Sequence, residues 1–196
     1  MVGETVLMVT IIQVLAILSV LLVYATRYKK VPPDRAMVVY GRQMHPGVKI
    51  GYAVISGGGR FLLPVIEETA VLDLAVREVV MELDNVRTDP GEGSRPVRVK
   101  LSVLYRISSD REELYLAAQN LLGRTPQDVK RMVQMVVEGS VREVATTRTA
   151  RSMDIDREGV ATEVGLKSAR DLAEVGLEIR GLNIIRIVHK GVDRIG

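Results

Sequence analysis

The sequence predicts an α+β protein in which one N-terminal transmembrane helix is followed by an antiparallel β-rich half and then by a helical half. Three observations lead to this prediction. An almost unbroken apolar run extends from Val6 to Tyr24, the middle of the chain holds short apolar segments, one with a clear period of two, and the later segments show helical spacing. Because the strands come before the helices and do not alternate with them, a parallel fold is not expected.

The composition allows a buried core and excludes several kinds of site. The chain has 196 residues, 47% of them hydrophobic, and a formal net charge of +3. It contains no Cys, and therefore no disulfide, thiolate metal site or Cys nucleophile. The basic residues, all at or after Arg27, are mixed with acids, and Trp is absent. A nucleic-acid surface normally shows a basic stripe or aromatic platforms, so no nucleic-acid partner is expected.

The first element is an apolar helix that is long enough to cross a bilayer. No residue between Glu4 and Arg27 is charged, and the segment from Val6 to Tyr24 spans roughly 28 Å, which matches a hydrocarbon core. The residues predicted to form this membrane anchor are Val6, Leu7, Ile11, Ile12, Leu15, Ile17, Leu18, Leu21, Leu22, Val23 and Tyr24.

Two other interpretations of this segment fit poorly, and a third stays open. A buried core helix would show a polar stripe, whereas the polar exceptions here are Thr10, Gln13 and Ser19. A cleavable signal peptide would carry positive charge ahead of the apolar run, but Glu4 precedes it. A re-entrant hairpin, which enters and leaves on the same side, is the remaining alternative to a spanning helix.

The charges that flank the anchor predict its direction. Arg27, Lys29 and Lys30 follow the apolar run directly, and nothing basic precedes it. Since basic flanks favour the cytoplasmic side, we expect a single-pass protein of the cell membrane with its soluble domain in the cytoplasm.

Short strands separated by Gly and Pro are expected after the anchor. Gly57-Gly58-Gly59 is interpreted as a flexible turn and not as a phosphate-binding loop, because it lacks the Lys-Ser/Thr of a P-loop and precedes a strand. The predicted strands of this part are Ala36 to Tyr40, Tyr52 to Ile55, Arg60 to Leu63 and Thr69 to Leu83.

The clearest strand runs from Val97 to Ile107, where apolar and polar residues alternate and only Leu104 breaks the pattern. This period of two predicts one buried and one exposed face, as in antiparallel sheets. The exposed face carries basic residues, and a solvated face is the preferred interpretation over contact with anionic lipid.

Helical signals follow, and a final strand comes last. Asp110 and Glu113 resemble a capping box, and Leu114, Ala117, Ala118 and Leu121 have helical spacing before a stop at Gly123. Thr125-Pro126 starts a second helix, whose apolar face continues through Val144. A third helix is expected at about Asp156 to Glu174, and a last strand at Leu177 to Val188.

No constellation of residues in the sequence indicates chemistry. His45 and His189 are far apart, without ligand-like spacing around either, and no zinc motif, nucleophile elbow or Walker loop occurs. We therefore expect no catalytic residue, no metal site and no cofactor, and the chain is not expected to be an enzyme.

A series of short motifs, in order from Arg27 to Val188, resembles the flotillin branch of the SPFH, or band 7, family. The motifs are Arg27-Tyr28-Lys29-Lys30-Val31-Pro32-Pro33, Gly57-Gly58-Gly59-Arg60-Phe61 with Pro64, Leu72-Asp73-Leu74, Val103-Leu104-Tyr105-Arg106-Ile107, Ala117-Ala118 with Leu122-Gly123, Val136-Val137-Glu138-Gly139 with Arg142, Asp156-Arg157, and Asp171-Leu172 with Gly176-Leu177. No single motif is specific, and the order of all of them carries the resemblance.

The resemblance implies a membrane-bound scaffold that forms homo-oligomers through its SPFH domains and organises membrane microdomains. The alternative is an accessory subunit that regulates a membrane protease or an NfeD-like partner. The chain then divides into an anchor (1–26), a β-rich first half (27–109), a helical second half with the final strand (110–190) and a short tail (191–196).

The resemblance also implies that the first half lies against the bilayer. A membrane-dipping loop would then be formed by Phe61, Leu62, Leu63, Val65 and Ile66, around Pro64. A buried strand and its turn is the alternative interpretation of this loop.

The end of the sequence departs from the family pattern. Flotillins continue from the last strand into long Ala- and Glu-rich helices, whereas this sequence ends at Gly196. We expect either a naturally short member or a truncated one, in which assemblies that depend on those helices are in doubt.

Overall fold

The computed structural model describes residues 2–40, 51–61, 67–89 and 96–189. It contains one long N-terminal helix, two antiparallel sheets and a group of helices, which confirms the predicted α+β class. The chain divides into two compact units, Met1–Val71 and Leu72–Gly196. The four segments predicted from the sequence were divided by their type of secondary structure, whereas these two units are divided by compactness. The four-segment division stays a prediction.

The N-terminal helix α1 comprises Val2–Arg27, so it extends beyond the predicted Val6 to Tyr24 at both ends. Strand β1, Tyr28–Tyr40, begins at the next residue. Pro32 and Pro33 lie inside this strand, although only Ala36 to Tyr40 was predicted to be extended. The helix therefore passes into the first strand without a connecting loop.

Strand β1 is the central strand of the first sheet. Strand β2 comprises Tyr52–Phe61 and strand β3 comprises Glu68–Asp73, in the order β2-β1-β3, with β1 and β2 antiparallel. Strand β1 has a neighbour on each edge, and its residues 36–39 are all buried. Val31, Met37 and Val39 form a small core, and Ile55 packs against it.

The prediction of a turn at the three glycines was wrong. Gly57-Gly58-Gly59 lies within β2, so the two predicted strands on either side of it are one strand, and Leu62 and Leu63 lie outside the described residues. The pairing shifts between Val31 and Ala36, where Pro32 and Pro33 lack the N–H groups that a regular ladder needs. Gly57 and Gly58 accommodate the shift with φ values of 72° and 83°, which favour glycine.

The predicted strand from Thr69 to Leu83 is divided into β3 and a separate strand β4, Arg77–Val86. Asp73 explains the break between them. Its Oδ1 accepts a hydrogen bond from the Ala75 N–H at 3.0 Å, and its Oδ2 lies 2.6 Å from Arg77 Nη2. Such local bonds from an Asp side chain stabilise a turn, which a hydrophobicity pattern does not reveal.

The second unit contains a sheet in the order β4-β5-β6, in which all pairs are antiparallel. Strand β5 comprises Val97–Ile107 as predicted, and strand β6 comprises Leu177–His189, one residue longer than predicted. In β5 the side chains alternate between buried and less buried positions up to Tyr105, and Leu104 on the outer face is 41% exposed. The period of two in the sequence is thus confirmed.

The described residues of the second unit also form four helices. Helix α2 comprises Arg111–Leu121, α3 Pro126–Thr146, α4 Ala150–Ile155 and α5 Arg157–Ala173. Helix α5 packs against β6 and α3, and α3 packs against β4. The buried residues of α2 are the four that were predicted from their spacing. Helix α4 was not predicted, because six residues are too few to show a helical period.

The capping box predicted for α2, between Asp110 and Glu113, was wrong about the bonding partner of Asp110. Asp110 is the N-cap, but its side chain accepts from the Glu112 N–H at 3.0 Å, and its own N–H donates to Ser108 Oγ at 3.1 Å. Glu113 takes no part in these bonds. A reciprocal capping box does occur one helix later, where Thr125 and Asp128 bond each other at the start of α3.

Arg148 connects the turn after α3 to helix α5. Its guanidinium lies 3.0 Å from Asp156 Oδ2 and 3.1 Å from Glu163 Oε2, while its carbonyl accepts from the Asp89 N–H at 3.0 Å. The hydrogen bond from Arg148, followed by the one from the Gly159 N–H, holds the pKa of Asp156 below its usual value. This one side chain thus orders the region around α4.

Gly176, after helix α5, has a left-handed backbone conformation and no room for a Cβ. Its φ is 80°, and a Cβ added there would overlap the backbone nitrogen of Ala117 and the carbonyl oxygen of Glu113. Gly123, after α2, has nearly the same φ of 79° but faces open space. A substitution at Gly123 therefore tests backbone strain alone, whereas one at Gly176 tests strain together with close packing.

We predict that Gly176→Ala destabilises the second unit far more than Gly123→Ala does. Gly123→Ala should cost only the left-handed strain, about 1–2 kcal/mol, whereas Gly176→Ala adds a backbone overlap and should cost more than about 3 kcal/mol. Urea unfolding of the whole chain in detergent, followed by circular dichroism, measures both. Equal losses would show that the approach to α2 does not constrain Gly176.

Candidate membrane anchor

The apolar surface of α1 is not covered by the rest of the described chain. From Gly3 to Thr26 the helix is long and apolar enough to cross a membrane, and none of these residues is buried. All of the predicted anchor side chains are between 52% and 65% exposed. At 1.5 Å per residue, these 24 residues span about 36 Å, compared with about 30 Å for a hydrocarbon core.

The hydroxyl groups in α1 are satisfied inside the helix itself. Thr10 Oγ1 donates to the Val6 carbonyl at 2.9 Å, and Ser19 Oγ donates to the Leu15 carbonyl at 2.8 Å. Thr26 Oγ1 donates in the same way to the Leu22 carbonyl at 3.0 Å. Because these polar groups already have partners, they add little to the cost of placing the helix in lipid.

The basic flank of the anchor lies where helix changes into strand. Arg27 is the last residue of α1, and Lys29 and Lys30 belong to β1, where Lys30 is exposed. The register of the sheet places Arg60 opposite Lys29. Sequence reasoning did not associate Arg60 with this flank, because the pairing of β1 with β2 joins residues far apart in the chain.

The predicted membrane-dipping loop begins at the same end of the sheet. Phe61 is the last residue of β2, and it is paired with Tyr28, the first residue after α1. Leu62, Leu63, Val65 and Ile66 lie outside the described residues. The structure therefore shows where the loop starts, and its contact with lipid stays a prediction.

The exposed face of β5 carries basic side chains that are paired with acidic ones. Arg98 lies 3.5 Å from Glu82 and 2.5 Å from Asp84, both on β4. Arg106 lies 2.9 Å from Glu178 on β6. Bonds from Arg180 first, and then from Arg106, lower the pKa of Glu178. These neighbouring acids leave little excess positive charge to attract anionic lipid.

An open pocket of about 300 Å³ lies in the second unit, between β4, β5 and the start of α3. Among the described residues, its lining contains no Ser, Thr, Cys or His. Within the described ranges, no group of three or more His, Cys, Asp or Glu side chains could hold a metal ion. The lining residues are Arg77, Glu78, Tyr105, Pro126, Gln127 and Lys130.

An uncovered apolar helix, followed by two antiparallel sheets and a group of helices, fits a membrane-associated protein. The SPFH domain / Band 7 family matches residues 29–191, and the chain belongs to this family. At the level of the family, this membership supports a membrane-associated scaffold.

Flotillins are among the curated relatives of the chain. The flotillin-like protein FloT of Bacillus subtilis (strain 168) is 26% identical over 174 residues, which cover 86% of this chain and 34% of the relative. Human Flotillin-2 is 26% identical over 160 residues, or 82% of this chain and 36% of the relative. The chain thus spans about a third of the length of these relatives, which together with α1 indicate a membrane location.

We predict that replacing Leu15 and Leu18 together by Arg removes the chain from the membrane or causes it to misinsert. Each Arg near the centre of a spanning helix costs about 2.5–3.5 kcal/mol on insertion scales. Membrane flotation of the expressed protein measures the loss, with Leu15→Ala and Leu18→Ala together as the matched control. If the Arg variant floated like the control, the surface of the domain would be the true anchor.

Proposed function

We propose that this chain is a membrane-anchored scaffold, which associates with copies of itself on the cytoplasmic face and so organises membrane microdomains. The observation that carries the proposal is the direct fusion of an uncovered apolar helix, α1, to the first strand of the SPFH domain. The flotillin relatives support the same function.

The direct fusion supports scaffolding because it limits how far the domain can move from the membrane. Helix α1 ends at Arg27 and β1 begins at Tyr28, so no flexible linker separates them. Confinement next to a bilayer raises the effective concentration of neighbouring domains, as a short linker does. Contacts between domains that are weak in solution then suffice for assembly.

The basic flank supports a cytoplasmic position for the domain. Arg27, Lys29 and Lys30 follow the apolar run, and the register brings Arg60 to the same end of the sheet. A cluster of basic residues next to a membrane helix favours the cytoplasmic side and the anionic lipids of that leaflet.

The loop that begins at Phe61 is proposed as a second, shallow membrane contact. Phe61 is paired with Tyr28, and the strand containing Tyr28 starts where the anchor ends. The apolar residues Leu62, Leu63, Val65 and Ile66 follow directly in the sequence. A loop that starts beside the end of a membrane helix needs little extra length to reach the headgroup layer.

Cysteine labelling tests the direction of α1 and separates a spanning helix from a hairpin. The chain contains no Cys, so Gly3→Cys and Arg151→Cys each create a single reactive site. With an impermeant maleimide on intact cells, we expect labelling at position 3 and none at position 151 until the cells are opened. Protection of both positions would show a hairpin, and labelling of position 151 in intact cells would contradict the cytoplasmic position.

Crosslinking in native membranes tests self-association. With an amine-reactive reagent, we expect a ladder of adducts of the chain with itself, because confinement brings the domains together. The Leu15→Arg, Leu18→Arg variant is the control, and its ladder should collapse.

Two results would contradict the scaffold. One is protein that stays strictly monomeric at high concentration in detergent and dispersed in the membrane. The other is a single adduct with a foreign protein, which would favour an accessory subunit of a membrane protease or of an NfeD-like partner.

A further inference from the structure

Gln13 lies well inside α1, and its side chain forms no hydrogen bond to the helix. It lies near the middle of Val2–Arg27, and it is exposed. The hydroxyls of Thr10 and Ser19 donate to carbonyls one turn earlier. The Gln13 carboxamide, in contrast, has no hydrogen-bond partner within the part of the chain that the structure describes.

The depth of Gln13 makes this lack of a partner costly. Gln13 is ten residues from Gly3, the nearer end of the spanning segment, which is about 15 Å along the helix axis. An amide placed in hydrocarbon without a hydrogen bond costs several kcal/mol on water-to-alkane scales, and lipid offers neither donors nor acceptors. A polar partner at the same depth therefore offsets part of this cost.

The residues around Gln13 form a seam that fits a second helix. Positions three and four apart recur along one face of α1, which is the spacing of a left-handed helix pair. The residues next to Gln13 on this face are β-branched and have few rotamers to lose on packing. The seam consists of Val6, Thr10, Gln13, Ile17, Val20 and Tyr24.

We propose that α1 pairs in the membrane with α1 of a second copy, and that the two Gln13 carboxamides hold the pair by hydrogen bonds to each other. Copies inserted in the same direction necessarily place Gln13 at the same depth. A carboxamide carries both a donor and an acceptor, so it is complementary to itself. This inference rests on the proposed self-associating scaffold and assigns one of its contacts to the anchor.

Single cysteines test the geometry of the pair, since the chain has none of its own. Val6→Cys and Val20→Cys lie on the seam, and Met8→Cys and Leu22→Cys lie at similar depths on the opposite side of the helix. After mild oxidation of the whole chain in native membranes, we expect disulfide dimers from the two seam positions. The two off-seam positions should give few.

Substitution of Gln13 tests the hydrogen bond. In lipid vesicles, energy transfer between labelled copies of the whole chain measures the dissociation constant of the pair. Gln13→Leu should weaken pairing by about 3- to 30-fold, because membrane hydrogen bonds of this kind contribute modestly. Gln13→Asn keeps the carboxamide and should retain most of the affinity. Ser19→Leu, which lies outside the seam at about 120° around the helix from Gln13, should change it little.

Three outcomes would overturn the inference. Equal crosslinking at all four cysteine positions, with a ladder of self-adducts that Gln13→Leu does not alter, would overturn the pairing through Gln13 and leave the scaffold intact. A chain that is monomeric by every measure would overturn both. Seam cysteines that crosslink only to a foreign membrane protein would show that α1 pairs with a helix of that protein and not with a second copy.

Discussion

The apolar surface of α1 is the constraint on which the rest of this protein depends. No part of the described chain covers the side chains between Gly3 and Thr26, and each exposure of a large apolar side chain to water costs about 1.5–3 kcal/mol. Burial of these side chains in lipid removes that cost. Because β1 begins where the helix ends, the backbone pairing of β1 with β2 brings Arg60 and Phe61 next to Lys29 and Tyr28 at the end of the helix.

The two units are organised around central strands that receive neighbours on both edges. Strand β1 lies between β2 and β3, and strand β5 lies between β4 and β6. In the second unit, helices α3 and α5 pack against the edge strands, while Arg148 and Gly176 fix the connections between helices and sheet.

Much of the fold could be predicted because many elements carry a local signal. The alternation in Val97–Ile107 and the spacing of Leu114, Ala117, Ala118 and Leu121 were both confirmed residue by residue. The prediction errors arose where the local sequence suggests one structure and pairing with a distant strand produces another. Gly57-Gly58-Gly59 resembles a turn in the sequence, but it lies within β2, and Gly57 and Gly58 have positive φ values where the pairing with β1 shifts.

By itself, the sequence determined the membrane helix, its flanking charges, the α+β class and the resemblance to SPFH proteins, because hydrophobic length, charge and periodicity are properties of consecutive residues. Only the tertiary structure decided the register of β1 with β2, the break at Asp73 and the pairing of Arg60 and Phe61 with the end of the anchor. Those features depend on hydrogen bonds between residues that are distant in sequence or on side-chain geometry, neither of which hydrophobicity encodes. The structure also distinguished Gln13 from Thr10 and Ser19, since only a helix places each hydroxyl beside a carbonyl one turn away and leaves the carboxamide outside it.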